Sequence, residues 1–377
     1  MLSAHFTPET TGNAPYVGRL ATGLVYRGDR VRVLTAHPHY PEWRIHQGYG
    51  QWADRDDRDG VVVQRLLHFV PRRPSNVKRL AAELSLGLRF VFARWGRPDV
   101  VLLVSPALFS VVIAMMKARV FHRGTPVGVW VQDIYSVGAA ETGSHSLVAA
   151  VMKRLESWLF RSADGVSVIH DRFARVLTGD LGVDPARVEV IRNWTHVGEA
   201  SVRDRAATRT RFGWGDGELV VMHAGNMGVK QGLENVVDAA RLADTSPRSV
   251  RFVLMGDGNQ KDHLMRYADG VQSISFLEPV SDDDFMTVLA AADVLLVNEK
   301  LGVAEMSVPS KLTSYFKVGR PVLGATAAGG ATATELAASR GGIHVVAGDP
   351  AALLQDAIAL GDDPARADEL GRNGRAF

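Results

Sequence analysis

The chain has 377 residues, 46% of them apolar and 22% charged, with a formal net charge of +2. That length exceeds one ordinary core and predicts two domains, and the composition excludes a disordered or fibrous chain. Cysteine is absent, which excludes disulfides and thiolate metal sites and fits a reducing compartment; the near-balanced charge gives no reason to expect nucleic acid as a partner.

The chain opens MLSAHFTPETTG, without the basic start and apolar stretch of a secretory signal. Only Met1-Leu2-Ser3 precedes the loop His5–Gly12, so the first strand is expected to be a stub, or the start to be truncated. Gly12 and Asn13 in this loop admit two readings: close approach of an acceptor group, or a cap for a helix over 16–26. Strand-like runs follow at 31–35, 61–67, 100–104, 127–131, 165–169 and 188–191. Asp54-Arg55-Asp56 and Asp57-Arg58-Asp59 imitate a metal-binding Asp-x-Asp pattern but read as a solvated polar loop. Arg72, Arg73, Lys78 and Arg79 lead into a helical pattern over 80–95, and Arg89, Arg94 and Arg97 extend the charge. This basic amphipathic segment either lies on an anionic membrane surface or packs into the core. The uncharged run 100–116 is broken by Ser105-Pro106 and falls short of the ~20 residues of a membrane span. Asp133, two residues past the 127–131 strand, is a candidate base or hydroxyl ligand, or a routine loop opener. His170, past the next strand, is a candidate of the same sort.

The domain join is expected near 193–211, giving domains 1–195 and 196–377. A second strand series runs 219–223, 251–255, 274–276, 294–297, 322–324 and 343–346, with helical patterns between. The alternation predicts an α/β protein of two doubly wound domains, each with a parallel sheet covered on both faces. Gly225-Asn226-Met227-Gly228-Val229-Lys230-Gln231-Gly232 follows the first strand of this series. Glycines at a strand-to-helix turn let N–H groups approach an anion, which makes Gly225, Asn226 and Gly228 candidates for phosphate. Gly256 and Gly258, past the next strand, either carry a nucleotide base on their backbone or make a plain turn. Ser281-Asp282-Asp283-Asp284 reads as a helix cap rather than a metal cluster. In EMSVPSKLTSYFKVGRP, Pro309 and Ser310 stand at a helix start, Ser310 as a capping oxygen, and Lys311 lies in the first turn. Lys230 and Lys311 are then the two cations expected around a diphosphate. The end of the chain, 365–377, reads as a helix that stops partway.

Together these segments resemble the family 4 retaining glycosyltransferases of the GT-B fold. The carriers are Thr10–Tyr16, Pro38–Pro41 with Trp43, Pro98-Asp99-Val100, Val190–Trp194, AGNMGVKQGLENVVDAA, VLMGDGN, AADVLLV, VPSKLTSYFKVGRPV and GDPAALLQDAI. The Pro-Ser-Lys-Leu stretch is similar to a subgroup containing bacterial fucosyl- and N-acetylfucosaminyl-transferases of colanic acid and O-antigen assembly. The resemblance implies two Rossmann-like domains facing across a cleft, and retaining transfer from a UDP- or GDP-sugar held by the second domain. The acceptor, lipid-linked or saccharide, would sit on the first domain near Gly12, Asn13 and His170. With the Asp-rich runs read as solvated charge and a helix cap, no metal or other cofactor is expected. The departures are Asn226 where the family carries Arg, Ser314 where its second glutamate falls, and Met306, with Glu305 one residue off, at its first. These departures motivate an alternative: a catalytically silent GT-B protein that binds nucleotide or stabilises a partner. The enzyme is expected to be cytoplasmic and peripheral on the inner membrane leaflet.

Overall fold

The computed structural model describes residues 1–10, 12–137, 147–194, 205–301 and 310–377. The chain divides into two compact units, Met1–His196 and Val197–Phe377. Each is a doubly wound α/β layer structure, as the alternation of apolar runs predicts.

Unit 1 carries β1 (Leu2–Ser3), β2 (Arg32–Ala36), β3 (Ala53–Arg58), β4 (Val61–Leu66), β5 (Val101–Val104), β6 (Val127–Val131), β7 (Gly165–Val168) and β8 (Val188–Val190). They form one eight-stranded sheet in the order β3-β4-β2-β1-β5-β6-β7-β8. The stub β1 is central: Leu2 pairs with Leu34 on one side and Leu103 on the other. The chain runs outward from β1 in one direction as far as β3 and β4, then resumes with β5 on its other flank. The switch point therefore lies between β1 and β5, where open sheets leave a crevice at their carboxyl edge.

One expectation fails here. The run Asp54–Asp59 is not a loop, because Ala53–Arg58 forms an edge strand antiparallel to β4, with Asp56 opposite Val63. Asp59 and Gly60 make the tight turn of a hairpin, at φ 53° and 79°. Both centres in the left-handed region match the twist of two antiparallel strands. Its residues alternate between exposed and half-buried, so the pleat is present but no apolar face announces it. The charges also blunt an edge that would otherwise invite pairing.

Unit 2 carries β9 (Leu219–Ala224), β10 (Val250–Met255), β11 (Ile274–Leu277), β12 (Val294–Asn298), β13 (Val322–Thr326) and β14 (Gly342–Val346). All six are parallel, in the order β11-β10-β9-β12-β13-β14, with the switch point between β9 and β12. Both faces of β9 are buried. Leu219 and Val221 enter a core with Phe252, Leu296 and Leu353, while Val220 and Met222 enter another with Leu295, Leu312 and Tyr315. Continuous apolar runs are what a strand covered on both faces requires.

The basic helix spans Asn76–Phe92, starting before the expected 80, because Ser75 caps it by accepting the Lys78 N–H at 3.4 Å. Among the described residues, no helix is long and apolar enough to cross a membrane.

Candidate active site

The carboxyl edge of the second sheet gathers the cationic candidates. The Lys311–Val318 helix is fixed by Tyr315, which has no exposed surface. Its hydroxyl accepts the Ala224 N–H at 2.8 Å and lies 3.4 Å from the Leu296 carbonyl. Tyr315 thereby ties the helix to the ends of β9 and β12, and the residue one turn earlier, Lys311, falls beside β9. Lys311 Nζ lies 3.2 Å from His223 Nε2, and a Cβ added to Gly225 would stand 3.7 Å from the same amine. His223 is fully buried; desolvation first, and the Lys311 charge second, hold its imidazole well below the usual range. A neutral ring offers a lone pair, so Lys311 donates one N–H to His223 at the switch point.

Ser310 differs from expectation. Its φ of −55° and ψ of −24° are already helical, and its hydroxyl caps nothing. A capping side chain needs an extended backbone to reach the following N–H groups. The Ser310 carbonyl instead accepts the Thr313 hydroxyl at 2.7 Å. Pro309 and Glu305 lie outside the described residues, as does Thr11.

The two glycine loops pack against each other. Gly225 N donates to Met255 O at 2.8 Å, Met227 N to Asp257 O at 2.8 Å, and Gln260 N to Met227 O at 2.9 Å. The β9–β10 ladder thus continues past both strands. Gly256 and Gly258, at φ 142° and 155°, make this approach possible, since a Cβ would lie 1.9 Å from Gly225 O and 2.4 Å from Met227 O. The close packing of the two loops therefore requires glycine at both positions. The Gly228 N–H is engaged by Gln231 Oε1 at 3.1 Å, and Asn226 Nδ2 lies 3.4 Å from the same oxygen. Lys230 sits on the short Val229–Gln231 turn with an exposed side chain, its carbonyl accepting Lys300 N at 2.8 Å.

Beside this turn lies a cavity of about 290 Å³ lined by residues including Val229, Gly232, Asn235, Glu299 and Lys300. Asn298, buried, braces it by donating to the Gln231 and Gly232 carbonyls at 2.7 and 2.9 Å. Glu299, also buried, accepts the Thr332 hydroxyl at 2.6 Å. The sequence nominated neither His223, Asn298 nor Glu299. All three sit in or just past strands, without a motif to mark them.

In unit 1 the candidates sit at the ends of different strands. Asn13 does not cap its helix; its side-chain amide donates to the Ser105 carbonyl at 3.0 Å, joining the loops after β1 and β5. Gly12 takes φ 63° beside Tyr40. Asp133 is exposed past β6, with Oδ1 accepting Ile134 N at 2.8 Å. His170 is buried and caps the Asp171–Arg175 helix, its Nδ1 accepting Phe173 N at 3.3 Å. A second cluster, unforeseen, brings ligand atoms of His5, Glu9 and His39 within 4.8 Å of one another. Glu9 Oε1 accepts the His39 and Tyr40 N–H groups at 2.7 and 2.9 Å, while Oε2 meets His5 Nδ1 at 2.8 Å. With both oxygens engaged by N–H donors, hydrogen bonds knit this cluster.

Residues 11–194 match the glycosyl transferase 4-like domain, and residues 218–363 match glycosyl transferases group 1. Over 332 residues the chain is 31% identical to a putative colanic acid biosynthesis glycosyl transferase, WcaI, of Escherichia coli (strain K12), covering 84% of this chain and 80% of that one. The chain belongs to the GT-B glycosyltransferases of family 4. Another relative of this glycosyltransferase is the 2-deoxystreptamine glucosyltransferase of Streptomyces kanamyceticus, 27% identical over 75% of each chain. Among solved structures, a sucrose-phosphate synthase from Thermosynechococcus elongatus superposes with a TM-score of 0.73 at 18% identity, covering 100% of this chain and 92% of that one. HepE of Anabaena, solved with UDP-glucose, gives 0.65 at 17% identity, with coverage of 100% and 92%. Those likenesses show the GT-B fold of the glycosyltransferase.

Proposed function

We propose that this glycosyltransferase moves a hexose-type sugar from a UDP- or GDP-sugar to a lipid-linked or saccharide acceptor, with retention, in envelope or exopolysaccharide synthesis. The observation that carries the donor assignment is Lys311, braced by His223 and Tyr315 against Gly225 at the switch point of the second sheet. Breaking the anomeric C–O bond builds negative charge on the departing nucleoside diphosphate. A lysine fixed by a neutral histidine, at the start of a helix whose first N–H groups lack intrahelical partners, meets that charge without reorganising. The exposed Lys230 supplies a second, mobile cation, and no metal is needed for charge balance. Retention rests on the family resemblance. Support for the pathway comes from the relative named for colanic acid biosynthesis. Support for the donor class comes from the similar fold solved with UDP-glucose.

The acceptor reading has a surface to match. Val77, Leu84, Leu88 and Phe92 recur along one exposed side of the Asn76–Phe92 helix, Val77 and Phe92 at 77% and 78% exposure. Phe121 and Val120 of the Leu108–Phe121 helix are exposed as well, and that helix packs on the first with Ile113 and Ser110 against Gly87. Arg72, Arg73, Lys78, Arg79, Arg94 and Arg97 are exposed around them. Arg89 is occupied elsewhere, stacked at 3.7 Å over the Trp52 ring. We place an anionic membrane surface against this face, with the enzyme at the cytoplasmic leaflet where lipid-linked acceptors lie.

The deciding experiment incubates the purified chain with UDP-glucose, UDP-N-acetylglucosamine, GDP-mannose and GDP-fucose, with and without membrane lipid extract and with EDTA. Lipid-stimulated, EDTA-resistant release of one nucleotide is expected. Ser314 at the place of the family's second glutamate keeps a silent nucleotide-binding protein as the competing outcome. Nucleotide binding without release would establish that instead.

A further inference from the structure

We propose that His5, oriented by Glu9, is a hydrogen-bond acceptor for a hydroxyl of the saccharide that receives the sugar, an assignment that rests on the transferase reading above. His5 is the second residue past β1, at the switch point of the first sheet, where the crevice between β1 and β5 opens. Its main chain is pinned there, since the Ser3 hydroxyl donates to the His5 carbonyl at 2.7 Å and accepts the His5 N–H at 3.3 Å. The ring lies stacked with His39 at 5.4 Å and against Tyr40 at 5.3 Å.

Glu9 decides which ring nitrogen carries the proton. Burial alone would raise its carboxyl, but the hydrogen bond and charge of His5, with the His39 and Tyr40 N–H groups, outweigh that and hold it below the usual range. An ionised carboxylate only accepts, so His5 Nδ1 must be the donor across their 2.8 Å contact. With the proton fixed on Nδ1, the neutral form of the ring presents Nε2 as a lone pair. Glu9 is 1% exposed at its side chain and His5 is 21% exposed, so the carboxylate is sealed and the imidazole reaches the surface. The loops do not need His5 for cohesion, because Glu9 already ties residues 39 and 40 through two backbone bonds. What the pair adds is an acceptor atom of fixed tautomer and direction, and a sugar hydroxyl is the donor that fits it.

The test uses the full-length chain, UDP-glucose and GDP-mannose as donors, and methyl glycosides of glucose, galactose and mannose as acceptors. His5→Phe is expected to raise the acceptor KM about tenfold or more with the donor KM unchanged, the loss of one oriented hydrogen bond. His5→Gln, whose carboxamide oxygen can still accept, should recover part of that loss. Nitrogen-15 spectra of the histidines should show His5 protonated at Nδ1, with its Nε2 signal shifting on addition of the effective glycoside. Glu9→Gln should abolish the tautomer preference. Wild-type acceptor kinetics in His5→Phe, or a proton on Nε2, would overturn the assignment. A wild-type chain that binds and cleaves neither donor would instead bring down the transferase reading, while the tautomer and its response to glycoside still decide the role of His5.

Discussion

Lys311 and His223 are 88 positions apart in the chain and meet at 3.2 Å. The sequence could nominate the lysine, because a helix start with a nearby cation is a local pattern. It could not nominate the histidine, which sits in an ordinary apolar strand and acquires meaning only when Tyr315 docks the helix. The same holds for Glu9 and His39, whose partnership depends on two loops meeting. Lys311→Ala should lower turnover about 100-fold while weakening UDP or GDP affinity less than tenfold, since the charge it meets develops on bond cleavage. His223→Asn should lower turnover in the same direction. Combined with Lys311→Ala it should add little, with a coupling of at least about 1 kcal/mol in the kinetic cycle; additive effects would separate the two residues. Gly256 offers a contrasting test of backbone role. Gly256→Ala puts a Cβ 1.9 Å from Gly225 O and should cost more than about 2 kcal/mol in urea unfolding. At Gly124, φ 89° with open space around it, Ala should cost only about 1 kcal/mol.

Elements were legible where burial sets the pattern. The apolar strands of both sheets lie within one or two residues of their expected bounds, because strands covered on both faces read as unbroken apolar runs. The edge strand Ala53–Arg58 escaped, since its alternation is of charges. The signal that could have found it is Asp59-Gly60 between the two strands, a hairpin dipeptide that periodicity does not see. The Asn76–Phe92 helix shows the opposite limit: its amphipathic pattern was plain, but which apolar residues faced outward was not. Ala82, Leu86 and Phe90 turn inward, leaving Val77, Leu84, Leu88 and Phe92 outside. Vesicles of phosphatidylglycerol and phosphatidylcholine should float the protein at low salt and release it at high salt, each basic side chain contributing ~1 kcal/mol at most. Phe92→Asp with Leu88→Asp should abolish flotation at low salt without changing the unfolding midpoint. Retained binding would leave the charges alone responsible.

At the scale of the whole molecule, buried imidazoles govern the response to acid. Burial, and then the neighbouring His39, push His68 down to about 3, and burial also lowers His37 and His39. A folded pKa below the unfolded one contributes stability that is complete above the unfolded value and lost as pH falls toward the folded value. For His68 that window runs from 6.5 down to about 3. Glu83, raised by burial to about 6, works in reverse and offsets part of the loss as pH falls below that value. Unit 1 should therefore lose about 2 kcal/mol between pH 7 and 5 from His68 alone, and His68→Leu should flatten the urea midpoint over that interval. The two loops that extend the β9–β10 ladder bear on how the other unit meets its ligand. The Gly225, Met227, Gly256 and Gln260 amides are bonded to main chain and those of Gly228 and Gly258 to side chains within the loops, so the ordering entropy of about 1 kcal/mol per residue is lost during folding and not at association. A nucleotide reaching the described residues of this edge finds a preorganised floor. On the proposed donor reading, the adjustment among the described residues falls to the Lys230 and Lys311 side chains, and stopped-flow binding of UDP or GDP should show a single fast phase.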